Sequence, residues 1–183
     1  MVENKTVVNA AIAKADAALL QVNSLLLPVT DAVLLVPQLA VAEVLSSDDL
    51  EAADLQRDET GVSPHCYGWV RWRDQSVPLL SFDSLSNGQR PLLDNDLKVV
   101  ICNAVFQAAA SGFYALVVSG FPRAIRLSIE SEMELEGSLS ERDGVQMFVS
   151  IDGEEVLIPD FEFIEEIVKN IAEEKRTGEG ESS

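Results

Sequence analysis

A rhythm of short apolar runs broken by turn chemistry sets the limits on this fold, and its sharpest break is Asp152-Gly153, between QMFVSI and EEVLIP. An Asp-Gly pair between two such runs is the strongest hairpin signal in the chain, because both turn positions require positive φ. The break recurs upstream. LLLPV and AVLLVP flank Thr30-Asp31, and their two-sided apolar character implies strands buried on both faces. GWVRWR and SVPLLSF flank Asp74-Gln75, read as another turn. SNGQRP then precedes LKVVICNAVF, while SGFYALVV and RAIRLSIE are joined by Ser119-Gly120-Phe121-Pro122. About nine or ten short strands at this spacing make a mainly β chain of small barrels or a sandwich.

Helical periodicity is confined to three places. Residues 5–23 carry Val8, Ile12, Ala15, Leu19 and Val22 at amphipathic spacing. QLAVAEVL suggests a short helix at 38–45. DFEFIEEIVKNIAEEK has Asp160 as its N-cap and Phe163, Ile164, Ile167, Val168 and Ile171 as its apolar stripe. The acidic segments 46–64 and 130–144 read as loops with solvated faces, and RTGEGESS as a flexible tail.

Thirty-one acids stand against 13 bases, a net charge of −18. That matters for Trp69, Arg71, Trp72 and Arg73, whose aromatic–basic alternation could stack nucleic-acid bases. A phosphate backbone needs a basic groove, and this field repels one, so nucleic acid is set aside. Strand alternation instead puts Val70 and Trp72 toward a core, and Trp69, Arg71 and Arg73 on the opposite face. Arg73 then has Glu43 as a candidate ion-pair partner that would shape a binding surface.

Catalytic and metal signatures are sparse. His65, Cys66 and Cys102 do not have the spacing of a zinc site, and adjacent strand residues such as His65 and Cys66 point to opposite faces, a poor dyad. Two buried free thiols are the simplest reading of the cysteines, with a single disulfide or a thiol-dependent enzyme left as alternatives. No nucleotide-binding or calcium-loop motif occurs. Glu3, Lys14 and Asp16 break up the N-terminal apolar run, and the run Leu25–Leu45 contains Asp31, Glu43 and two prolines. The expectation is a cytoplasmic chain with no signal peptide and no membrane insertion.

In order and spacing the segments resemble the CheW-like domain of bacterial chemosensory systems. The carriers are VLLVP followed by Val41-Ala42-Glu43-Val44, then Gly68 to Phe82 with glycine, arginine (Arg73) and proline (Pro78) in register, then LKVVICNA, GFYALVV and VLIPDFEFIEEI. The resemblance covers residues 25–172, leaving 1–24 as an N-terminal helical extension and 173–183 as an acidic flexible tail. It implies two small five-stranded SH3-like barrels sharing a core, with no catalysis, metal or cofactor. It further implies an adaptor joining the cytoplasmic tips of chemoreceptors to the regulatory domain of a CheA-type histidine kinase at membrane-associated receptor arrays. Receptor helices would lie in a groove that includes Val41, Gly68 and Val99, shaped by the Glu43–Arg73 pair. The family's asparagine, leucine, glycine and aspartate are here Arg71, Trp72, Asp74 and Ser81. Arg71 and Asp74 are therefore where partner choice would differ, and Asp74 in place of glycine puts the turn geometry at issue. Such departures suggest a divergent member, of an auxiliary or type IV pilus system. A decoy or specialised scaffold that has lost kinase coupling is the alternative within the same fold.

Overall fold

The computed structural model describes residues 21–46, 55–57, 63–89, 98–106, 112–128, 133–134 and 140–180. Its strands are β1 (Val22–Pro28), β2 (Val33–Pro37), β3 (Val41–Leu45), β4 (Leu55–Arg57), β5 (Cys66–Trp72) and β6 (Gln75–Leu80), followed by helix α1 (Phe82–Asn87). The chain continues with β7 (Lys98–Asn103), β8 (Phe113–Val118), β9 (Arg123–Leu127), β10 (Met133–Glu134), β11 (Val145–Ile151), β12 (Glu154–Pro159) and helix α2 (Phe161–Gly180).

The strands form two sheets, ordered β10-β11-β12-β2-β1-β9 and β3-β7-β8-β6-β5-β4. Each has five longer strands plus one very short edge strand, β10 or β4, matching the two five-stranded units expected. Read from opposite ends, the sheets are the same object. β11-β12-β2-β1-β9 corresponds to β5-β6-β8-β7-β3, and among the described residues each sheet has one parallel pair, β12–β2 or β6–β8. Along the chain this is one pattern used twice: a hairpin, an edge strand, a short strand, a second hairpin and a helix. The first hairpin of each repeat is lodged in the other repeat's sheet.

That exchange explains the continuous apolar runs. Along β7, Val99 and Ile101 pack with Val70, Val77, Leu79 and Ala115 inside one sheet unit, while Val100 and Cys102 face the core shared by both units. On β2, Leu35 packs with Leu26, Val149 and Val156 of the other unit, while Leu34 and Val36 join the shared core. A strand with protein on both faces has no polar side to show, so Val99–Cys102 of β7 and Val33–Val36 of β2 run apolar without a break. Ile164, Val168 and Ile171 of α2 close the shared core, and Asp160 caps the helix by accepting the Phe163 N–H at 3.0 Å.

Several expectations change. Only Gln38–Ala40 is helical, as a single 3-10 turn; Val41–Leu45 is extended because its β-branched residues pair with β7. The β5–β6 turn is Arg73-Asp74, one residue earlier than read, with φ of 46° and 61°. Both values are left-handed, as in the equivalent Asp152-Gly153 turn, and the two-residue loop selects this turn type for its match to strand twist. Phe82 ends no strand: Ser81 accepts the Ser84 N–H, starting α1, and Gly88 stops it at φ 72°. β4 and β10 lie inside the two acidic segments expected to be loops, and α2 runs on to Gly180 through part of the expected tail. Of the helix expected at 5–23, positions 5–20 lie outside the described residues, and Val22 and Asn23 belong to β1. Among the described residues no helix is long and apolar enough to cross a membrane.

Candidate protein-interaction site

β3 is the edge of its sheet, four places from β5 in strand order. Glu43 nevertheless reaches the far side. Its Oε2 accepts the Trp72 indole N–H at 2.9 Å and an Arg73 guanidinium N–H at 3.1 Å. The sheet must curl for this to happen, so one carboxylate clasps the edge strand to the tip of the β5–β6 hairpin. Arg73 also lies 4.4 Å over the Trp72 ring, and Trp72 meets Phe113 edge-on at 4.8 Å. In the other sheet, too, an ion pair joins the edge strand to the second hairpin, with the charges exchanged: Arg123 of β9 to Glu154 of β12 at 3.5 Å, both exposed. Trp72 is only 6% exposed, whereas the Arg73 side chain is mostly in solvent. The buried indole is thus the stronger of Glu43's two ties. Arg73 sits in the turn and not on the strand face, and Trp69 is half-buried, with Lys175 of α2 4.0 Å over its ring.

The expected groove residues divide. Val41 is half-buried on β3, opposite Cys102. Gly68 is buried at a bulge in β5, and its φ of 141° is a conformation that favours glycine, so its role is in backbone shape. Val99 is fully buried among Val70, Val77 and Ile101, and offers no surface to a partner; it belongs to the sheet interior. Arg71 and Asp74 are exposed and pair loosely at 3.7 Å.

Sequence reasoning missed a set of large apolar side chains held out in solvent. Leu39 is 90% exposed on the 3-10 turn, and Val105 and Phe106, just past β7, are each 56% exposed. The Asn103 amide donates to the Leu39 carbonyl at 2.8 Å, which places the turn beside the end of β7. Glu165, fully buried on α2, accepts the backbone N–H groups of Val105 and Phe106. Leu39, Val41, Val105 and Phe106 therefore gather at one end of the β3–β7 ladder, next to the Glu43 clasp. They escaped notice because QLAVAEVL read as a helix and ICNAVF as unbroken strand. The legible signal was Asn103, a polar residue interrupting that apolar run.

The thiols present no catalytic geometry. Cys66 and Cys102 are buried thiols that form no disulfide. Burial pushes the Cys102 thiol up to about 12, so it is protonated at neutral pH, and its Sγ donates to the Val100 carbonyl at 3.8 Å. The His65 Nδ1 lies 3.1 Å from the Ser84 carbonyl oxygen. Among the described residues no cluster could hold a metal ion.

A family model described as the CheW-like domain matches residues 23–167. The chain belongs to the CheW-like domain family. Families of this type supply scaffolds and adaptors to chemosensory signalling without catalytic chemistry of their own. The fold agrees with a solved CheW-like structure, the crystal structure of scaffolding protein TtCheW from Thermoanaerobacter tengcongensis. The two superpose with a TM-score of 0.58 at 14% identity, covering 76% of this chain and 88% of that one. No curated protein matches the sequence. For this CheW-like domain the match begins one residue into β1 and ends within α2, spanning both repeats.

Proposed function

We propose that this CheW-like domain is a non-enzymatic adaptor that couples the cytoplasmic tips of chemoreceptors to the regulatory domain of a CheA-type histidine kinase. The observation that carries the reading is the apolar trio Leu39, Val105 and Phe106, held outward by hydrogen-bonded backbone, with half-buried Val41 beside them and a charged rim alongside. A folded chain gains by burying such side chains, at about 1.5–3 kcal/mol for each large one fully covered. Holding several of them in water on ordered backbone leaves that gain to a partner. An amphipathic helix suits the site: its side chains at i, i+3 and i+4 would fill an apolar strip, and Glu43 and Arg73 would set its register through charge. Arg71 and Asp74, exposed at the neighbouring hairpin tip, are placed to adjust partner choice. Gly68 shapes the strand beneath this rim.

The test is binding of a receptor cytoplasmic-tip fragment and, separately, of the kinase regulatory domain, both from the same organism. Binding of both by the wild-type chain, with receptor-fragment affinity lost in Leu39→Ser and Phe106→Ser variants that still fold, is the expected result. Binding of neither overturns the reading. Receptor binding that lowers kinase control in a reconstituted assembly assigns the chain to the decoy class instead.

A further inference from the structure

We propose that Glu165 is the positioning residue that presents Val105 and Phe106 to the docking partner, acting from one layer beneath the contact surface. A buried carboxylate must be compensated by donors, and here consecutive backbone N–H groups converge on it. Phe106 donates to both oxygens, at 3.1 and 2.9 Å, and Val105 donates to Oε1. With these N–H groups turned inward, the side chains of both residues stand outward.

The repeat supplies an internal control. Asp83, buried on α1, occupies the equivalent role and accepts the N–H groups of Thr30 and Asp31, each at 3.3 Å, in the β1–β2 turn. There the displayed residues are polar and exposed. A helix carboxylate stapling the connection of its repeat's first hairpin is thus part of the architecture and works with polar residues on show. Nothing in the staple requires valine and phenylalanine at 105 and 106. Glu165 holds an apolar pair against its tendency to fold inward, and the difference between the two staples marks one end of the molecule for contact.

The inference rests on the reading of this surface as a helix-docking site, and the experiment separates the two. Glu165→Gln keeps the shape and an acceptor but removes the charge. In the free protein, amide exchange at Val105 and Phe106 should quicken on the order of tenfold, while that of Val100 and Leu116 in the sheet stays as in wild type. Affinity for the receptor-tip fragment should fall several-fold. In a Val105→Ser/Phe106→Ser background, Glu165→Gln should cost no further affinity, because a residue that acts through those side chains is silent without them. Unchanged exchange, or an affinity loss that persists in that background, overturns the inference. Should Glu165→Gln not fold, Glu165→Asp, which keeps the charge but draws it back by one methylene, is put through the same measurements. If wild type does not bind the fragment, the docking reading falls, and exchange still decides whether Glu165 holds this connection.

Discussion

Replacing Glu43 separates the two interactions that meet on one carboxylate oxygen. In Glu43→Ala the Trp72 indole N–H loses its acceptor, and leaving a buried donor unpaired costs about 1–3 kcal/mol. The Glu43 side chain is 40% exposed, so water can reach part of the vacated space, which points to the lower half of that range. Glu43→Ala also loses the ion pair between exposed groups, worth about 0–1 kcal/mol; Arg73→Ala loses that same pair and in addition only a cation–π contact of about 0.5–1 kcal/mol, so the indole makes the difference. Glu43→Gln keeps a neutral acceptor for the indole and should cost less than 1 kcal/mol. Urea unfolding followed by tryptophan fluorescence reads the series directly. With an m-value of about 2 kcal/mol/M, Glu43→Ala should lower the midpoint by roughly 0.5–1.5 M, and the other two by less. Glu43→Ala should also weaken receptor-fragment binding, since the β3 edge is no longer clasped to the hairpin tip. If Arg73→Ala proves as costly as Glu43→Ala, or Glu43→Gln matches it, the indole is not the principal tie and the reasoning fails.

Other outcomes follow from single observations. Asp74 holds φ 61°, a conformation glycine adopts without strain, so Asp74→Gly should gain about 0.5 kcal/mol net of the loose Arg71 pair, seen as a higher urea midpoint. Burial raises the folded-state values of both Cys102 and Tyr114, the latter well above its ordinary range with further upward pushes from Cys102 and Glu165. Both groups therefore contribute stability that is intact below about pH 9 and lost as the pH rises toward 12. Tm should be flat from neutral pH to about 8.5 and fall above it, less steeply in Cys102→Val; a flat alkaline profile would contradict the burial. Lys175→Ala should uncover Trp69, shifting its emission to the red for a loss of no more than about 1 kcal/mol. No shift would mean that α2 leaves that ring open.

The hairpins were legible because their signals are local. Asp152-Gly153 and Thr30-Asp31 carry their turn chemistry within a few residues, and the apolar runs beside them announced burial on both faces. The turn at Arg73-Asp74 was harder: Asp74 tolerates positive φ but Arg73 gives no such signal, and the cross-strand pairing of Trp72 with Gln75 sets the register. The segment 41–45 read as helix because alanine and leucine spacing suits either state, and pairing with β7 decided for strand. The Glu43–Arg73 contact could be guessed from charge, but not the larger share taken by the Trp72 indole, which depends on how far the sheet curls. Val99 looked like a groove residue by position, yet its side chain points into the sheet interior.

Local chemistry, then, determined the class of fold, the hairpins, the C-terminal helix and the shortage of reactive groups, because turn preference, periodicity and capping act over a few residues. Tertiary structure decided which sheet each hairpin joins, and with it everything about the surface. Exchange of the first hairpins between repeats is set by packing across long stretches of chain, which no local pattern records. From it come the two carboxylate staples, the clasp at Glu43, and the outward placement of Leu39, Val105 and Phe106, apolar residues whose identity alone predicted a core.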